Sequence, residues 1–231
     1  LIVSRGLGDV YKRQKKFLKN YDDAIHSFCH CLPNTWHLMS VMLSCTSNIN
    51  WFINTFDSSI DEISNYLKDS MSSDALMNNS PYYLPYLTGE RTPLNDPHVR
   101  ASFHNMGIET DRKTLVYSLI EGISFGLYDN YQALSKTGIK LNNLFVIGGG
   151  SKNKDWIKLL ASILDRDLAI TDASDAMAAY GAARLAYLGY NNLNHQDVLK
   201  SPLVKEIIKK SNNTKSILQD RFVEWKKYYV N

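Results

Sequence analysis

The sequence is poor in cysteine. Cys29, Cys31 and Cys45 are the only three in 231 residues, too few to staple a small disulfide-built fold and in keeping with a reducing compartment. The expected setting is therefore the cytoplasm. Long runs of one charge are also missing. With 26 Lys+Arg against 23 Asp+Glu, the net charge of +3 is spread along the chain, so no basic stripe marks a nucleic-acid or membrane-surface partner. No apolar stretch approaches the roughly 18–20 residues that a membrane-spanning helix needs. The G-x-S-x-G elbow of a serine hydrolase does not occur, and no two carboxylates stand out by spacing as an acid–base pair. What remains is a mixed globular chain, long enough to bury roughly 70% of its unfolded surface.

The amino terminus stands apart. It opens on Leu1 rather than Met, and LIVSRGLGDVYKRQ fits no pattern that follows. Asp9 to Gln14 resembles one reading frame of a transposon end used in preparing sequencing libraries. Residues 1–14 are therefore read as a non-native assembly scar and residues 15–231 as one domain.

Hydrophobic periodicity organises the rest. Ala24 to Cys31 alternates and predicts a strand with Ile25, Ser27, Cys29 and Cys31 on one face. Beyond Pro33, Asn34 or Thr35 is expected to cap a helix through Trp36, Met39, Met42, Leu43 and Ile49 to Phe52. Ser59-x-x-Glu62 predicts a capping box before a short helix carrying Ile60, Ile63 and Leu67. Residues 69–81 are polar and read as loop, and Pro85, Pro93 and Pro97 keep the next stretch from being a regular helix. Asp111 is expected to cap a long helix ending at Gly138. On it, Gly122 and Gly126 would let another backbone approach, at a propensity cost of about 1 kcal/mol each. Asn143–Ile147 reads as a buried strand broken by Gly148-Gly149-Gly150. A helix over Lys154–Asp165, a strand over Leu168–Thr171 and a helix over Ala176–Leu188 follow, and a last amphipathic helix carries Leu218, Phe222, Trp225 and Tyr229. That order predicts an α/β fold, a sheet covered by helices.

The glycine triplet carries the best chemical signal. A strand that ends in glycines and feeds a helix presents backbone N–H groups at a positive helix end, which suits a phosphate or a nucleotide. GGGSKN matches neither the dinucleotide fingerprint nor the P-loop, and a plain tight turn explains it equally well. AAYGAARLA (178–186) permits close packing on a sheet or against a flat ring, and on local evidence helix–sheet packing is favoured. Cys29-His30-Cys31 with His26 lacks the second ligand pair of a zinc site, and strand alternation would separate His30 from the cysteines, so a buried strand is expected and no metal. Glu90 and Arg91 could touch phosphate, but an ion pair holding the loop is the simpler reading.

Taken in order, HSFCHCLPNTWHLMSVMLS (26–44), LPYLTGERTPLNDPHVRASF (84–103), LIEGISFGL (119–127), VIGGGSKNKDWIKLLASIL (146–164) and AAYGAARLA (178–186) resemble the carboxy-terminal domain of the FGGY carbohydrate kinases. Within that family the likeness is to the branch whose acceptor is D-xylulose. The resemblance covers residues 17 to 190. It implies the second half of a two-domain kinase with the actin-like (ribonuclease H-like) ATPase fold and a mixed sheet. It further implies transfer of the γ-phosphoryl group of MgATP to a sugar hydroxyl, ATP and Mg²⁺ being the cofactors and the amino-terminal domain a necessary partner.

By position, Gly148, Gly149, Gly150 and Ser151 resemble the loop bordering adenine and ribose, Asn153 a polar contact to the nucleotide, and Ala179, Gly181 and Ala182 the small-residue packing beneath. The sequence departs from the family pattern at Ala101 and Asn105, where glycines are usual. No D-x-G-T precedes the match, so the general-base Asp is expected upstream, and the chain alone is expected to be inactive. Two further readings stay open: a kinase for another sugar, and a non-catalytic actin-like module that binds nucleotide or a partner. An apolar face left uncovered would favour a homodimer.

Overall fold

A computed structural model of the chain describes residues 2–4, 7–14, 17, 24–139, 141–172, 176–194, 198 and 203–229. Strands β1 (Ile2–Ser4), β2 (Leu7–Gln14), β3 (His26–Cys29) and β4 (Trp36–Met42) form an antiparallel sheet in the order β1-β2-β4-β3. The stretch set aside above as a scar thus contributes strands, β2 pairing with β4 from Gly8↔Met42 to Gln14↔Trp36.

Trp36–Met42 is a strand where the sequence predicted the start of a helix. Leu38, Ser40 and Met42 are buried while their neighbours are half-exposed. Apolar residues at 36, 39, 42 and 43 mimic a helical period, but the alternating set is what packs on the core. The helix begins only at α1 (Ser47–Phe56). β3 is edge-like rather than buried, with Cys29 and Cys31 both exposed. The predicted loop over 69–81 contains a short helix, α3 (Asp74–Asn79), whose Ser73 side chain caps the Leu76 N–H. Before it, α2 (Ile60–Ser70) shows half of the expected capping box. Ser59 accepts from the Glu62 N–H, whereas the Glu62 carboxylate turns to Ser58 and Arg112.

The long helix α4 (Arg112–Lys136) follows the two-stranded β5 (Tyr82–Leu84) and β6 (Ser102–His104). Asp111 and Thr114 form a complete capping box at its start. Gly122 lets β5 lie directly on α4, since a Cβ there would collide with the Tyr83 carbonyl. Polar anchors complete the seat: Ser118 Oγ donates to the Pro81 carbonyl at 2.7 Å, and Asn48 Nδ2 to that of Pro85 at 3.1 Å.

A second, mixed sheet comprises β7 (Leu144–Val146), β8 (Leu168–Thr171) and β9 (Val204–Ile208), with β7 parallel and β9 antiparallel to β8. Helix α5 (Lys154–Leu164) connects β7 to β8. Its Trp156, Leu159, Leu160 and Ile163 join Leu144, Val146, Leu168, Ile170 and Ile208 in the common core, where each fully buried large side chain contributes about 1.5–3 kcal/mol. β9 has no counterpart in the sequence reading, because VKEII carries only one buried residue. The last helix, α7 (Lys215–Lys226), docks as expected. Trp225 is fully buried, and its indole N–H donates to the Tyr83 carbonyl at 2.7 Å.

Helix α6 (Met177–Tyr190) behaves differently. It runs through Gly189 and contributes no residue to the buried core. Ala179 and Ala182 are exposed, and a Cβ on Gly181 would meet nothing within 4 Å. Among the described residues, the helix–sheet packing expected from its small residues does not occur. What α6 faces is a cleft bounded by Leu185, Leu188, Cys31, Leu32 and Pro33 at the β3–β4 turn.

Candidate functional site

Two residues beyond β7, Gly148 has φ +88° and ψ 179°, a backbone conformation that only glycine adopts readily. Gly149–Lys152 then winds into a single 3-10 turn. Gly149 and Gly150 differ in their surroundings. A Cβ on Gly150 would come within 2.8 Å of the Trp156 ring, so glycine there serves packing, whereas at Gly149 a Cβ would meet nothing within 4 Å. Gly149 is therefore the position where the loop backbone lies open.

The polar residues beside it are mostly engaged in holding the loop. Ser151 is buried and donates to the Gly148 carbonyl at 2.7 Å. Asn153 caps α5 by accepting from the Trp156 N–H at 3.0 Å, and its amide donates to Ser64 Oγ at 3.1 Å. Ser64 in turn donates to the Ile60 carbonyl at 2.8 Å. This chain of bonds ties the loop to α2 and fixes the width of the gap between them.

That gap is a cleft of about 620 Å³, within the range of small-molecule sites. Ile49 of α1, Ile63 of α2, Ile120 of α4 and Trp156 of α5 form its apolar walls, and Ile60 stands exposed at the mouth. Thr46, Ser47, Asn50, Lys152 and Asn153 supply the polar rim. An apolar slot with amide and hydroxyl groups at its edge suits a flat heterocycle. The open Gly149 backbone and the Lys152 ammonium beside it suit the anionic part of the same ligand.

Of the residues singled out in the sequence, Gly149, Gly150 and Asn153 line this cleft, while Gly148 and Ser151 shape the turn beneath it. Ala179, Gly181 and Ala182 are not among its lining residues. Conversely, Asn50, Ser64, Ile60 and Lys152 were missed. Lys152 lay within the GGGSKN motif itself, but the α1–α2 wall carries no local motif and is brought to the loop by the fold alone. A second concavity lies at the opposite end of β7 and β8, between Asn142, Phe145, Asp165, Arg166 and Lys210. Its charges are satisfied internally: Asp165 pairs with Lys210 and Lys215, and Arg166 donates to the Leu141 and Asn142 carbonyls.

Glu90 and Arg91 do not form the expected ion pair. Glu90 is buried and its Oε1 accepts from the N–H groups of Leu43 and Arg91, at 3.0 and 2.7 Å, while the Arg91 guanidinium donates to Asn95. Their role is to hold the loop, by a different means. Among the described residues no group of three or more His, Cys, Asp or Glu is placed to hold a metal ion.

Residues 13–190 match the model of the FGGY family of carbohydrate kinases, carboxy-terminal domain. The chain belongs to this family. It is 34% identical over 191 residues to the xylulose kinase of Escherichia coli and 32% identical over 211 residues to that of Staphylococcus xylosus. The alignments take in 82% and 90% of the chain but only 39% and 43% of those proteins, so it spans less than half the length of either. Among solved structures it superimposes on a xyloylose kinase from Brucella ovis with a TM-score of 0.88 and 30% identity, covering 99% of this chain and 46% of that one. A glycerol kinase from Plasmodium falciparum with ADP gives a TM-score of 0.68 at 21% identity over 84% of this chain and 38% of that one, a likeness of fold. The fold is that of the actin-like ATPases, seen here as the FGGY carboxy-terminal domain.

Proposed function

We propose that the chain supplies the nucleotide-holding half of a sugar kinase that transfers the γ-phosphoryl group of MgATP to the 5-hydroxyl of D-xylulose. The observation that carries this reading is the cleft between the glycine loop and helices α1 and α2, in a chain 34% identical to a xylulose kinase. Adenine would lie in the slot between Ile63 and Trp156. The Asn50 amide can both donate and accept at the base edge, and the open backbone at Gly149 would border the ribose and phosphates. Lys152 would add positive charge at the mouth, and Mg²⁺ would arrive as part of the substrate.

Phosphoryl transfer depends on positioning and charge stabilisation more than on covalent chemistry by the protein. This half contributes by fixing one end of ATP, while the sugar site and a general-base Asp would be supplied by the remaining length that relatives possess. Its partners would accordingly be D-xylulose and the sugar-holding half, with a second copy on the exposed Tyr180, Tyr187 and Tyr190 of α6. The setting would be the ATP-rich cytoplasm. No helix among the described residues is long and apolar enough to cross a membrane.

Nucleotide binding tests the proposal directly. Trp156 lines the cleft, so ADP or MgATP should change the indole fluorescence, and the change should vanish in Trp156→Phe. Calorimetry showing no nucleotide uptake at millimolar ligand would overturn the assignment.

A further inference from the structure

Away from the cleft, the buried contact between the loop around Glu90 and helix α4 holds two hydrogen-bond acceptors with no donor. Glu90 is 3% exposed and carries both oxygens inside the protein. Oε1 accepts two N–H groups, and Oε2 has no partner. On the other side of the contact Asn130, 1% exposed, donates through Nδ2 to the Thr92 and Gly126 carbonyls at 3.0 and 2.9 Å, leaving its Oδ1 unpartnered. Asn130 bonds the Thr92 carbonyl and Glu90 the N–H of the adjacent Arg91, so both orphaned oxygens belong to residues at the seam between this loop and α4. Buried acceptors without donors are rare in folded proteins and each is costly.

We propose that Glu90 is carried as the neutral acid and that its Oε2–H donates to Asn130 Oδ1, one proton satisfying both oxygens. The charged groups facing Glu90 fit that state. Arg91, on the same loop, sends its guanidinium to Asn95 rather than to Glu90. Asp129 of α4 adds negative charge nearby and is itself bonded by Lys226, at 3.0 Å, and by the Tyr229 hydroxyl. Tyr86, also buried, offers no positive charge. Burial first, and then the Asp129 charge, raise the Glu90 carboxyl to about 7, against the pull of the Leu43 and Arg91 N–H groups.

The bond has a structural consequence. Oε1 holds the Leu43 N–H at the end of β4, Thr92 Oγ1 accepts from Val41, and Ser44 pairs with Thr88 at 2.7 Å. Together they clamp the turn that leads into Thr46 and α1, one wall of the cleft. Ionising Glu90 would leave a buried, uncompensated charge at this clamp and loosen the wall.

A carboxyl whose folded pKa lies above its unfolded value stabilises the fold fully below the unfolded value, near 4.5, and loses that contribution as pH rises through about 7. Denaturant unfolding of the parent chain and of Glu90→Gln, whose amide can also donate to Asn130, at about pH 5 and about pH 8 tests this. The unfolding constant of the parent should rise roughly 50- to 100-fold more than that of Glu90→Gln; parallel profiles would overturn the proposal. Infrared titration of the parent needs no variant to fold. A protonated carboxyl band at about pH 6 that fades by about pH 9 and is missing from Glu90→Gln is expected, and its absence at about pH 6 counts equally against the idea. Asn130→Ala should move that band, and a band left in place would remove Asn130 as the acceptor.

Discussion

Arg221 of α7 grips both carboxylate oxygens of Glu121 in the middle of α4, at 2.7 and 2.6 Å, across 100 residues of sequence. Both side chains are almost wholly buried. The remaining guanidinium hydrogens reach the Ser80 and Pro81 carbonyls, and the plane stacks 4.4 Å from the Tyr82 ring. Burial works against the charge of Arg221, but Glu121 outweighs it and holds the guanidinium above its ordinary pKa. One residue near the carboxy terminus thus ties α7 to α4 and to the strand β5 between them.

Removing one partner of such a pair leaves the other charge buried alone. Arg221→Ala or Glu121→Ala should therefore lower stability by about 3–5 kcal/mol, whereas Arg221→Met with Glu121→Leu should cost far less, because the double change leaves no charge behind. Urea unfolding of the three variants measures this. Additive losses in the double variant would mean that the two residues do not act as a pair.

Two glycines in helices should respond oppositely to the same substitution. Gly122→Ala would place a methyl group against the Tyr83 carbonyl and force α4 away from β5, a backbone clash that costs well above the ~1 kcal/mol gained in helix propensity. Gly181→Ala in α6 meets open space and should stabilise by up to about 1 kcal/mol. Thermal melts of the two variants would show the contrast, and a stabilised Gly122→Ala would contradict the close approach of β5.

That Gly122 marked a close contact was readable from its place in the apolar pattern of α4, as were the Asp111 cap and the α5 face of Trp156 and Leu160. These rest on local rules of cap and period. β4 was not legible, because Trp36, Met39 and Met42 satisfy a helical spacing as well as Leu38, Ser40 and Met42 satisfy a strand, and only pairing with β2 and β3 decides between them. The same limit hid half of the cleft. Gly149 announces itself by its neighbours, but Asn50 and Ile60 come to line the cleft only when α1 and α2 fold against the loop. The small residues of α6 misled for the opposite reason: Ala179 and Ala182 permit close packing, and nothing in the described structure uses the permission.

Within the triplet, stability and binding should separate. Gly150→Ala would press on the Trp156 ring at 2.8 Å and should cost about 1–3 kcal/mol, the usual range for overpacking. Gly149→Val points into open space and should leave the melting temperature unchanged while lowering nucleotide affinity at least about tenfold, equivalent to ~1.4 kcal/mol. Asn50→Ala should weaken binding without destabilising α1, since its side chain is exposed there. Calorimetry with ADP alongside the melts reads both quantities. An affinity unchanged by Gly149→Val would move the nucleotide away from this loop.

Catalysis makes a sharper demand than binding. Nowhere in the 231 residues does a D-x-G-T phosphate loop occur, and the carboxyl group of Glu90, beside Arg91, is buried beneath the turn and bonded to backbone N–H groups. On the proposed reading the cleft would take a base and phosphates, yet it has no Asp or Glu among its lining residues. A missing general base alone costs about 10²–10⁴-fold, and without a sugar site the positioning that matters more is also lost. The chain by itself should therefore bind ADP yet release no more ADP from MgATP with D-xylulose than without it. Supplying the amino-terminal half of a xylulose kinase in trans, or restoring it by fusion, should bring sugar-dependent turnover that Gly149→Val diminishes. Sugar-dependent turnover by the chain alone, in a coupled ADP-release assay, would mean that the reacting groups lie within these residues and that the division of labour drawn from the cleft is wrong.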